Sequence, residues 1–160
     1  MKIAVISDSH DHIDNLRKAI KIIKTENIDY TIHCGDFCAP FIIKELSTLE
    51  HKVFGVFGNV DGDKYRILQN KPDNLQLYPE FAELEIDKIK IAVVHYPELA
   101  KTLAHSGKYK VVFYGHTHIR KIEKMGSTLL VNPGEIMNLN SNPSFIIYNS
   151  ENNKIKTIEI

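Results

Sequence analysis

The N-terminal part of the chain alternates between short apolar runs and amphipathic stretches. Three apolar runs predict buried strands, at Lys2–Ser7, Tyr30–His33 and Val53–Phe57. Between the first two runs, apolar residues recur at helical spacing and predict a helix from His12 to Glu26, with Asp11 placed to cap it. Pro40 predicts the start of a second helix that ends near Leu49, because a missing N–H is harmless at an early helical position. This part of the chain therefore has a βαβαβ order.

Beyond a poorly periodic stretch around Asp61 to Pro79, the pattern becomes mostly β. Phe81–Ile86 and Ile89–Val94 predict a hairpin with a short turn between them. One further helix is predicted from Pro97 to His105. The remaining short apolar runs predict strands at Val111–Tyr114, Ile119–Lys124, Thr128–Val131, Phe145–Tyr148 and Lys154–Ile158.

This order of elements predicts an α/β fold with two packed sheets and helices on their outer faces. No repeat, low-complexity tract or linker interrupts the pattern, so we expect a single domain over residues 1–160. The 43% hydrophobic and 25% charged content is typical of a globular chain. It excludes a disordered tail, a collagen-like fibre and a coiled coil.

The charges of the chain balance, with 20 basic and 20 acidic residues. This balance favours neither nucleic acid nor a membrane surface as a partner. No apolar stretch approaches the ~20 residues that span a bilayer, and the N-terminus does not resemble a signal peptide. With two cysteines and no export signal, we expect a cytoplasmic protein in a reducing compartment.

Metal-capable side chains follow five of the predicted strands at the point where each strand ends. They lie in Ser7-Asp8-Ser9-His10, Cys34-Gly35-Asp36, Gly58-Asn59-Val60-Asp61, at His95, and in Gly115-His116-Thr117-His118. Ligands collect at the carboxyl ends of strands in open α/β sheets, so we expect these side chains to meet. Each motif alone is compatible with an ordinary turn or a core histidine. Together they predict a metal site.

The spacing within the motifs supports this prediction. Residues two apart in an extended segment point the same way, so Asp8 and His10 are expected to reach one centre, as are His116 and His118. A glycine precedes three of the candidate groups and permits a close approach. Nitrogen and oxygen donors without a thiolate suit Mn, Fe, Ni, Co or Zn better than a soft metal.

The same motifs resemble the signature of the calcineurin-like metallophosphoesterases over essentially the whole chain. Asn132-Pro133-Gly134 also resembles a loop of the small bacterial and archaeal phosphodiesterases of that superfamily, which share their fold with the small subunit of the retromer coat. The resemblance implies a four-layer αββα sandwich, in which two packed mixed β-sheets are flanked by helices. It also implies a dinuclear metal site at the C-terminal ends of the strands.

The resemblance further implies which residues bind two divalent metal ions. The first ion would be held by Asp8, His10, Asp36 and His118, and the second by Asp36, Asn59, His95 and His116. Mn²⁺ is the first expectation, and Ni²⁺, Zn²⁺, Fe²⁺, Co²⁺ and Mg²⁺ are alternatives because such donors bind several ions. A hydroxide that bridges the two ions would attack phosphorus in line with the leaving group.

The implied function is hydrolysis of small-molecule phosphodiesters by a metal-dependent phosphodiesterase. Asn59 and Asp61 are expected to serve catalysis, Asp61 by orienting a histidine or a neighbouring backbone group. The alternative for Asp61 is a plain turn carboxylate. Small relatives also imply a homodimer or homotetramer. Two other functions stay open: a non-catalytic scaffold of the retromer type, which the full ligand set disfavours, and a nuclease, which the neutral charge disfavours.

Two positions depart from the family pattern. Val60 stands where the larger phosphatases carry a histidine that assists the leaving group. We therefore expect a preference for good leaving groups, such as those of aryl phosphodiesters. Tyr96 follows His95 at a position where relatives usually have glycine. Its ring either narrows the pocket and contacts the substrate or only packs.

The other histidines and the cysteines are expected to be peripheral. His12 either contacts a substrate phosphate at the start of its helix or is simply exposed. His33 is expected in the core or behind the metal ligands, and His51 is expected to face solvent. Cys34 and Cys38 are expected to be reduced structural residues, because two thiols alone do not form a zinc site.

Overall fold

The computed structural model describes residues 1–160. Its strands are β1 (Lys2–Ile6), β2 (Tyr30–His33), β3 (Lys52–Val56), β4 (Leu75–Tyr78), β5 (Phe81–Ile86), β6 (Ile89–Val94), β7 (Val111–Phe113), β8 (Lys121–Met125), β9 (Thr128–Asn132), β10 (Ser144–Asn149) and β11 (Ile155–Glu159). Its helices are α1 (Ile13–Thr25), α2 (Pro40–Glu45), α3 (Lys64–Asn70) and α4 (Pro97–His105), and a 3₁₀ turn at Leu46–Thr48 follows α2. No helix combines the length and the apolar character that crossing a membrane requires.

The strands form two mixed sheets. The first has six strands in the order β11-β10-β1-β2-β3-β4, in which β1 to β4 are parallel and β10 and β11 are antiparallel to their neighbours. The second has five strands in the order β5-β6-β7-β9-β8, in which β6, β7 and β9 are parallel. Parallel neighbours in a sheet end at the same edge, so each sheet presents three or more loops at one edge.

Three apolar clusters separate four layers. In β1, Ile3 and Val5 face the second sheet, whereas Ala4 and Ile6 on the opposite face pack against α1 and α2. On the far side, Ala100 and Ala104 of α4 pack against the outer face of the second sheet. Each buried Ile or Val contributes roughly 1.5–3 kcal/mol. The predicted αββα arrangement of two mixed sheets between helices is confirmed.

Most of the predicted elements are present, and the hairpin of β5 and β6 and helix α4 have the predicted bounds. Helix α3 and strand β4, which lie in the stretch without periodicity, are not predicted from the sequence pattern. Helix α3 buries only Ile67 among its residues, so it has no apolar stripe to detect. Strand β4 is a half-buried edge strand whose pairing with β3 determines its conformation.

The predicted cap of the first helix is wrong. Helix α1 begins at Ile13, and its N-cap is His12 rather than Asp11. Nδ1 of His12 accepts a hydrogen bond from the backbone N–H of Asn15 at 3.3 Å. A cap side chain reaches the N–H two or three residues ahead, and Asp11 lies one residue too early to do so.

Candidate metal centre

Six chain segments meet at one edge of the two sheets. Three follow β1, β2 and β3 in the first sheet, and three follow β6, β7 and β9 in the second. Backbone hydrogen bonds connect them: the N–H of Asp8 donates to the carbonyl of Gly35 at 3.1 Å, and the N–H of Ile136 donates to the carbonyl of Ser7 at 3.1 Å. The strand ends therefore bring the candidate side chains together, as the sequence predicts.

Four of these side chains form one compact group. The donor atoms of Asp8, His10, Asp36 and His118 all lie within 4.8 Å of one another. Nε2 of His118 lies 3.5 Å from Oδ1 of Asp8, and Nε2 of His10 lies 3.7 Å from Oδ2 of Asp36. The group combines two carboxylates from the first sheet with histidines from both sheets, which is a suitable donor set for a divalent transition metal.

The other three candidates form a second group beside Asp36. Oδ1 of Asn59 lies 2.8 Å from Nε2 of His95 and 2.9 Å from Nδ1 of His116. Nε2 of His95 also lies 3.3 Å from Oδ2 of Asp36. Asp36 is therefore adjacent to both groups, and the structure brings together all seven residues that the sequence proposes as ligands.

Two histidine nitrogens indicate that a cation fits here. Nε2 of His10 is buried and has no hydrogen-bond partner. Nδ1 of His95 donates to the carbonyl of Cys34 at 2.8 Å, so neutral His95 presents the lone pair of Nε2 to the oxygens of Asn59 and Asp36. A lone pair directed at oxygen acceptors is unfavourable by itself, and a cation between these atoms would satisfy all of them.

The backbone at five of the candidates has a left-handed conformation. The φ angles are 51° at Asp8, 43° at His10, 61° at Asp36, 68° at His116 and 62° at His118. Such values are uncommon outside glycine and tend to cluster at functional sites. The convergence of Asp8 with His10 was predicted, but tight turns bring it about, not an extended backbone. The prediction that His116 and His118 reach one centre is wrong: His118 lies beside Asp8, and His116 lies beside Asn59 in the other group.

Two glycines allow the loops to approach closely. A Cβ on Gly115 would lie 2.8 Å from Oδ2 of Asp8, and a Cβ on Gly58 would lie 2.7 Å from the backbone nitrogen of Asp36. Each of these positions therefore excludes any larger residue without movement of a candidate ligand.

The electrostatics of the two carboxylates differ. Burial raises the pKa of Asp8 above its usual range. Burial would also raise the pKa of Asp36, but the neighbouring imidazole of His95, in its protonated form, and the hydrogen bond from the backbone N–H of Val60 outweigh burial and lower that pKa. The same contact raises the pKa of His95 in spite of its burial. Asp36 is thus the carboxylate held more firmly in its charged form.

Comparison with known proteins agrees with this geometry. A sequence model of the calcineurin-like phosphoesterase superfamily domain matches residues 1–153. The chain belongs to this superfamily. Phosphodiesterase MJ0936 of Methanocaldococcus jannaschii is 40% identical over 139 residues, which cover 84% of each chain.

Solved structures of other proteins show the same fold. The structure of an archaeal phosphodiesterase superposes with a TM-score of 0.93 at 36% identity, over 100% of both chains. Vps29 of Chaetomium thermophilum superposes with a TM-score of 0.75 at 15% identity, over 100% of this chain and 95% of that chain. The second similarity concerns the fold alone.

In this calcineurin-like phosphoesterase, Asp61 contacts backbone groups and no histidine. Its Oδ2 accepts hydrogen bonds from the N–H groups of Asp36 at 3.1 Å and Gly58 at 2.7 Å, and its Oδ1 accepts one from Cys38 at 2.8 Å. The side chain is buried. Asp61 therefore ties the loop after β2 to the loop after β3, which carry Asp36 and Asn59.

Glu135 is a buried carboxylate at the site, and it is not among the residues predicted from the sequence. Its Oε2 lies 2.5 Å from Nδ1 of His118. Burial would raise the pKa of Glu135, but hydrogen bonds from His118 and from the backbone N–H groups of Ser141 and Asn140 lower it. The available signal was its position, since Glu135 follows Asn132-Pro133-Gly134 at the end of β9 just as the candidate ligands follow other strands.

The two departures from the family pattern lie on the exposed side of the site. Val60 is 38% exposed and Tyr96 is 39% exposed. The ring of Tyr96 lies 5.2 Å from the ring of His95 and 5.2 Å from the ring of His116. Tyr96 therefore packs against two candidate ligands and is partly exposed.

The remaining histidines and cysteines have structural contacts. His33 is fully buried between Ser9 and Gly35, as expected, whereas the expectation for His51 is wrong: it is half-buried, with Nε2 2.7 Å from Oγ1 of Thr31. His12 is exposed and caps α1. Both cysteines are unpaired. Sγ of Cys38 lies 3.5 Å from Nδ1 of His10, and burial raises the pKa of this thiol to about 12.

Proposed function

We propose that the protein is a metal-dependent phosphodiesterase that hydrolyses small phosphodiesters with two divalent cations, with Mn²⁺ as the first candidate. The observation that carries this proposal is the compact group of Asp8, His10, Asp36 and His118, in which the buried Nε2 of His10 has no partner. The name of the related phosphodiesterase of Methanocaldococcus jannaschii supports the reaction class.

The seven side chains divide into two overlapping ligand sets. The first cation would bind to Asp8, His10, Asp36 and His118, and the second to Asp36, Asn59, His95 and His116. Asp36 is common to both sets because its Oδ2 lies 3.7 Å from Nε2 of His10 and 3.3 Å from Nε2 of His95. When bound, such cations supply a hydroxide nucleophile near neutral pH and positive charge that offsets the charge of the phosphate.

The small negative charge of the ligand set would leave bound cations available to a phosphodiester anion. Among the seven side chains only Asp8 and Asp36 carry charge when the histidines are neutral, so two divalent cations would exceed the negative charge of their own ligands. Asn59 contributes a neutral amide oxygen next to His95 and His116. Asp61 contributes indirectly, by fixing the backbone of the loops that carry Asp36 and Asn59.

The exposed rim favours substrates whose leaving group needs no proton. Val60 offers no acidic hydrogen where a histidine would assist departure, so a stable leaving anion is an advantage. Tyr96 is partly exposed beside His95 and His116 and would be a suitable contact for an aromatic group. Both features favour aryl diesters among small phosphodiesters.

The test is hydrolysis of bis-p-nitrophenyl phosphate by metal-stripped protein, with Mn²⁺, Ni²⁺, Zn²⁺ or Mg²⁺ added back singly. We expect turnover to return with added metal and Asp36→Asn to lower kcat/KM by roughly 100-fold or more, since it weakens both ligand sets. Asp73→Asn removes an exposed carboxylate elsewhere and serves as the matched control, with activity unchanged.

Metal binding without turnover would contradict the proposal. Two ions bound per chain with no hydrolysis of any diester, under every metal tested, would favour the scaffold alternative instead. Turnover that survives metal removal, or that Asp36→Asn leaves intact, would exclude the two-metal site as its source.

We extend the proposal to the location, the domain organisation and the oligomeric state of the protein. We infer a cytoplasmic protein in which residues 1–160 form a single domain, and self-association as a homodimer or homotetramer. Light scattering coupled to gel filtration measures the last of these directly. A small-molecule phosphoester is the expected substrate, with no role for nucleic acid or a membrane.

A further inference from the structure

Glu135 is a fully buried carboxylate whose hydrogen bonds are all made at the edge of the metal site. Its Oε1 accepts three backbone N–H bonds, from Leu139 at 2.8 Å, Asn140 at 2.5 Å and Ser141 at 2.6 Å. Its Oε2 faces Nδ1 of His118 at 2.5 Å. The carboxylate is thus surrounded by donors, and the loop of residues 139–141 holds it in one orientation.

This arrangement decides where His118 carries its proton. Three N–H donors on one oxygen stabilise the ionised form of Glu135. An ionised carboxylate only accepts hydrogen bonds, so Nδ1 of His118 is the donor to Oε2. Neutral His118 then has a free lone pair on Nε2. That atom faces the metal-binding group, 3.5 Å from Oδ1 of Asp8.

His118 is the one candidate histidine that a carboxylate outside the ligand set orients. Nδ1 of His95 donates to a backbone carbonyl, that of Cys34. Nδ1 of His10 contacts only the thiol of Cys38, which is weak both as donor and as acceptor. A carboxylate behind a histidine makes its other nitrogen a stronger metal ligand than a neutral partner does.

A second contact ties the same loop to His118. Oγ of Ser141 donates to the backbone carbonyl of His118 at 2.9 Å, while the N–H of Ser141 donates to Glu135. The side chain and the backbone of His118 are therefore both held from this loop. The hydrogen bond from Ser141 therefore helps to stabilise the left-handed backbone of His118, whose φ is 62°.

We propose that Glu135 is a positioning residue for the metal site: it fixes His118 as the Nδ1–H tautomer and strengthens Nε2 as a ligand of the first cation. The role of the site as a metal centre rests on the proposed function. The tautomer does not, because it is a property of the metal-free protein.

The test measures the tautomer and the metal affinity separately. Long-range ¹H–¹⁵N correlation of the imidazole signals, in metal-free protein above neutral pH, identifies which nitrogen of His118 carries the proton; the signal missing in His118→Asn gives the assignment. We expect Nδ1–H in the wild type. In Glu135→Gln the amide oxygen keeps the three N–H bonds and its NH₂ group faces His118, so the proton moves to Nε2.

Calorimetric titration with Mn²⁺ supplies the second readout. We expect Glu135→Gln to weaken binding of one ion by about 10–100-fold. Glu85→Gln removes an exposed carboxylate on β5 and is the control, with wild-type affinity. A proton on Nε2 of His118 in the wild-type protein would overturn the proposal by itself. A Glu135→Gln variant that keeps both the wild-type tautomer and the wild-type Mn²⁺ affinity would also overturn it. A wild type that binds no Mn²⁺ would refute the proposed function, and the tautomer would still decide the role of Glu135.

Discussion

Hydrogen bonds from neighbouring residues hold the candidate ligands in their backbone conformations. A left-handed backbone costs a non-glycine residue roughly 1–2 kcal/mol, and five candidates adopt it. Asp61 offsets part of that cost by binding the backbone N–H of Asp36, and the N–H of His116 donates to the carboxylate of Asp8. Neighbouring residues at the site therefore stabilise the left-handed backbone of the candidate ligands.

The identities of the candidate ligands could be predicted from the sequence, but the residues that support them could not. Asp8, Asp36 and His95 follow recognisable strands, so their convergence follows from topology. Glu135 follows a strand too, but its pairing with His118 depends on where the loop of residues 139–141 lies. Asp61 could be placed near the site, while its backbone partners depend on two loops meeting in three dimensions.

At the residue scale, Val60 is predicted to limit the choice of leaving group. The wild type should cleave diesters more slowly as the leaving group becomes more basic. Val60→His should reduce this dependence and raise the rate for poor leaving groups roughly tenfold or more, toward the lower range of general-acid catalysis. Rates over a series of aryl and alkyl diesters measure the slope. Val60→Ile, which adds no proton donor, is the control, and a wild type that cleaves alkyl diesters as fast as aryl ones would contradict this role.

At the scale of elements, the strand ends and their loops determine the site. Strands with buried faces on both sides, such as β1, have long apolar runs that the sequence shows clearly. Elements that depend on a neighbour have no such apolar run. Helix α3 buries only one residue, and the conformation of β4 is determined by its pairing with β3. These two elements connect β3 to the second sheet, so their absence from the prediction did not change the predicted site.

The loop after β3 provides a matched pair of glycines for a test. A Cβ on Gly58 would lie 2.7 Å from the backbone nitrogen of Asp36, whereas a Cβ on Gly62 would have no neighbour within 4 Å. Gly58→Ala should lower the free energy of unfolding by about 1–3 kcal/mol and weaken Mn²⁺ binding. Gly62→Ala should stay within about 0.5 kcal/mol of the wild type. Urea unfolding and Mn²⁺ titration of both variants measure these effects. Equal free energies of unfolding and equal Mn²⁺ affinities would show that the close approach at Gly58 is unimportant.

At the scale of the whole molecule, the site requires both sheets. Asp8, His10, Asp36 and Asn59 follow strands of the first sheet, and His95, His116 and His118 follow strands of the second. The apolar layer between the sheets, which includes Ile3, Val93 and Phe113, therefore sets the distance between the two halves of the site. The sequence predicts two packed sheets, but their relative placement emerges only from this packing.

Global stability should depend on pH through His33. This buried histidine is neutral, stacked 4.0 Å from the ring of Phe37, and burial lowers its pKa to about 3. Below pH 6.5 the unfolded chain therefore binds a proton at His33 that the folded chain does not, so stability falls as the pH falls from 6.5 toward 3. From pH 7 to pH 5, metal-free wild type should lose about 2 kcal/mol more than His33→Gln. Parallel losses in urea unfolding of the two proteins would contradict this effect.

The most direct test of the two-metal site is anomalous diffraction from crystals soaked in Mn²⁺. Two peaks are predicted at the ends of the strands, both beside Asp36 and separated by about 3.5–4 Å. One peak should lie among Asp8, His10 and His118, and the other among Asn59, His95 and His116. A single peak, or none at this edge of the sheets, would contradict the assignment of these residues to a dinuclear centre.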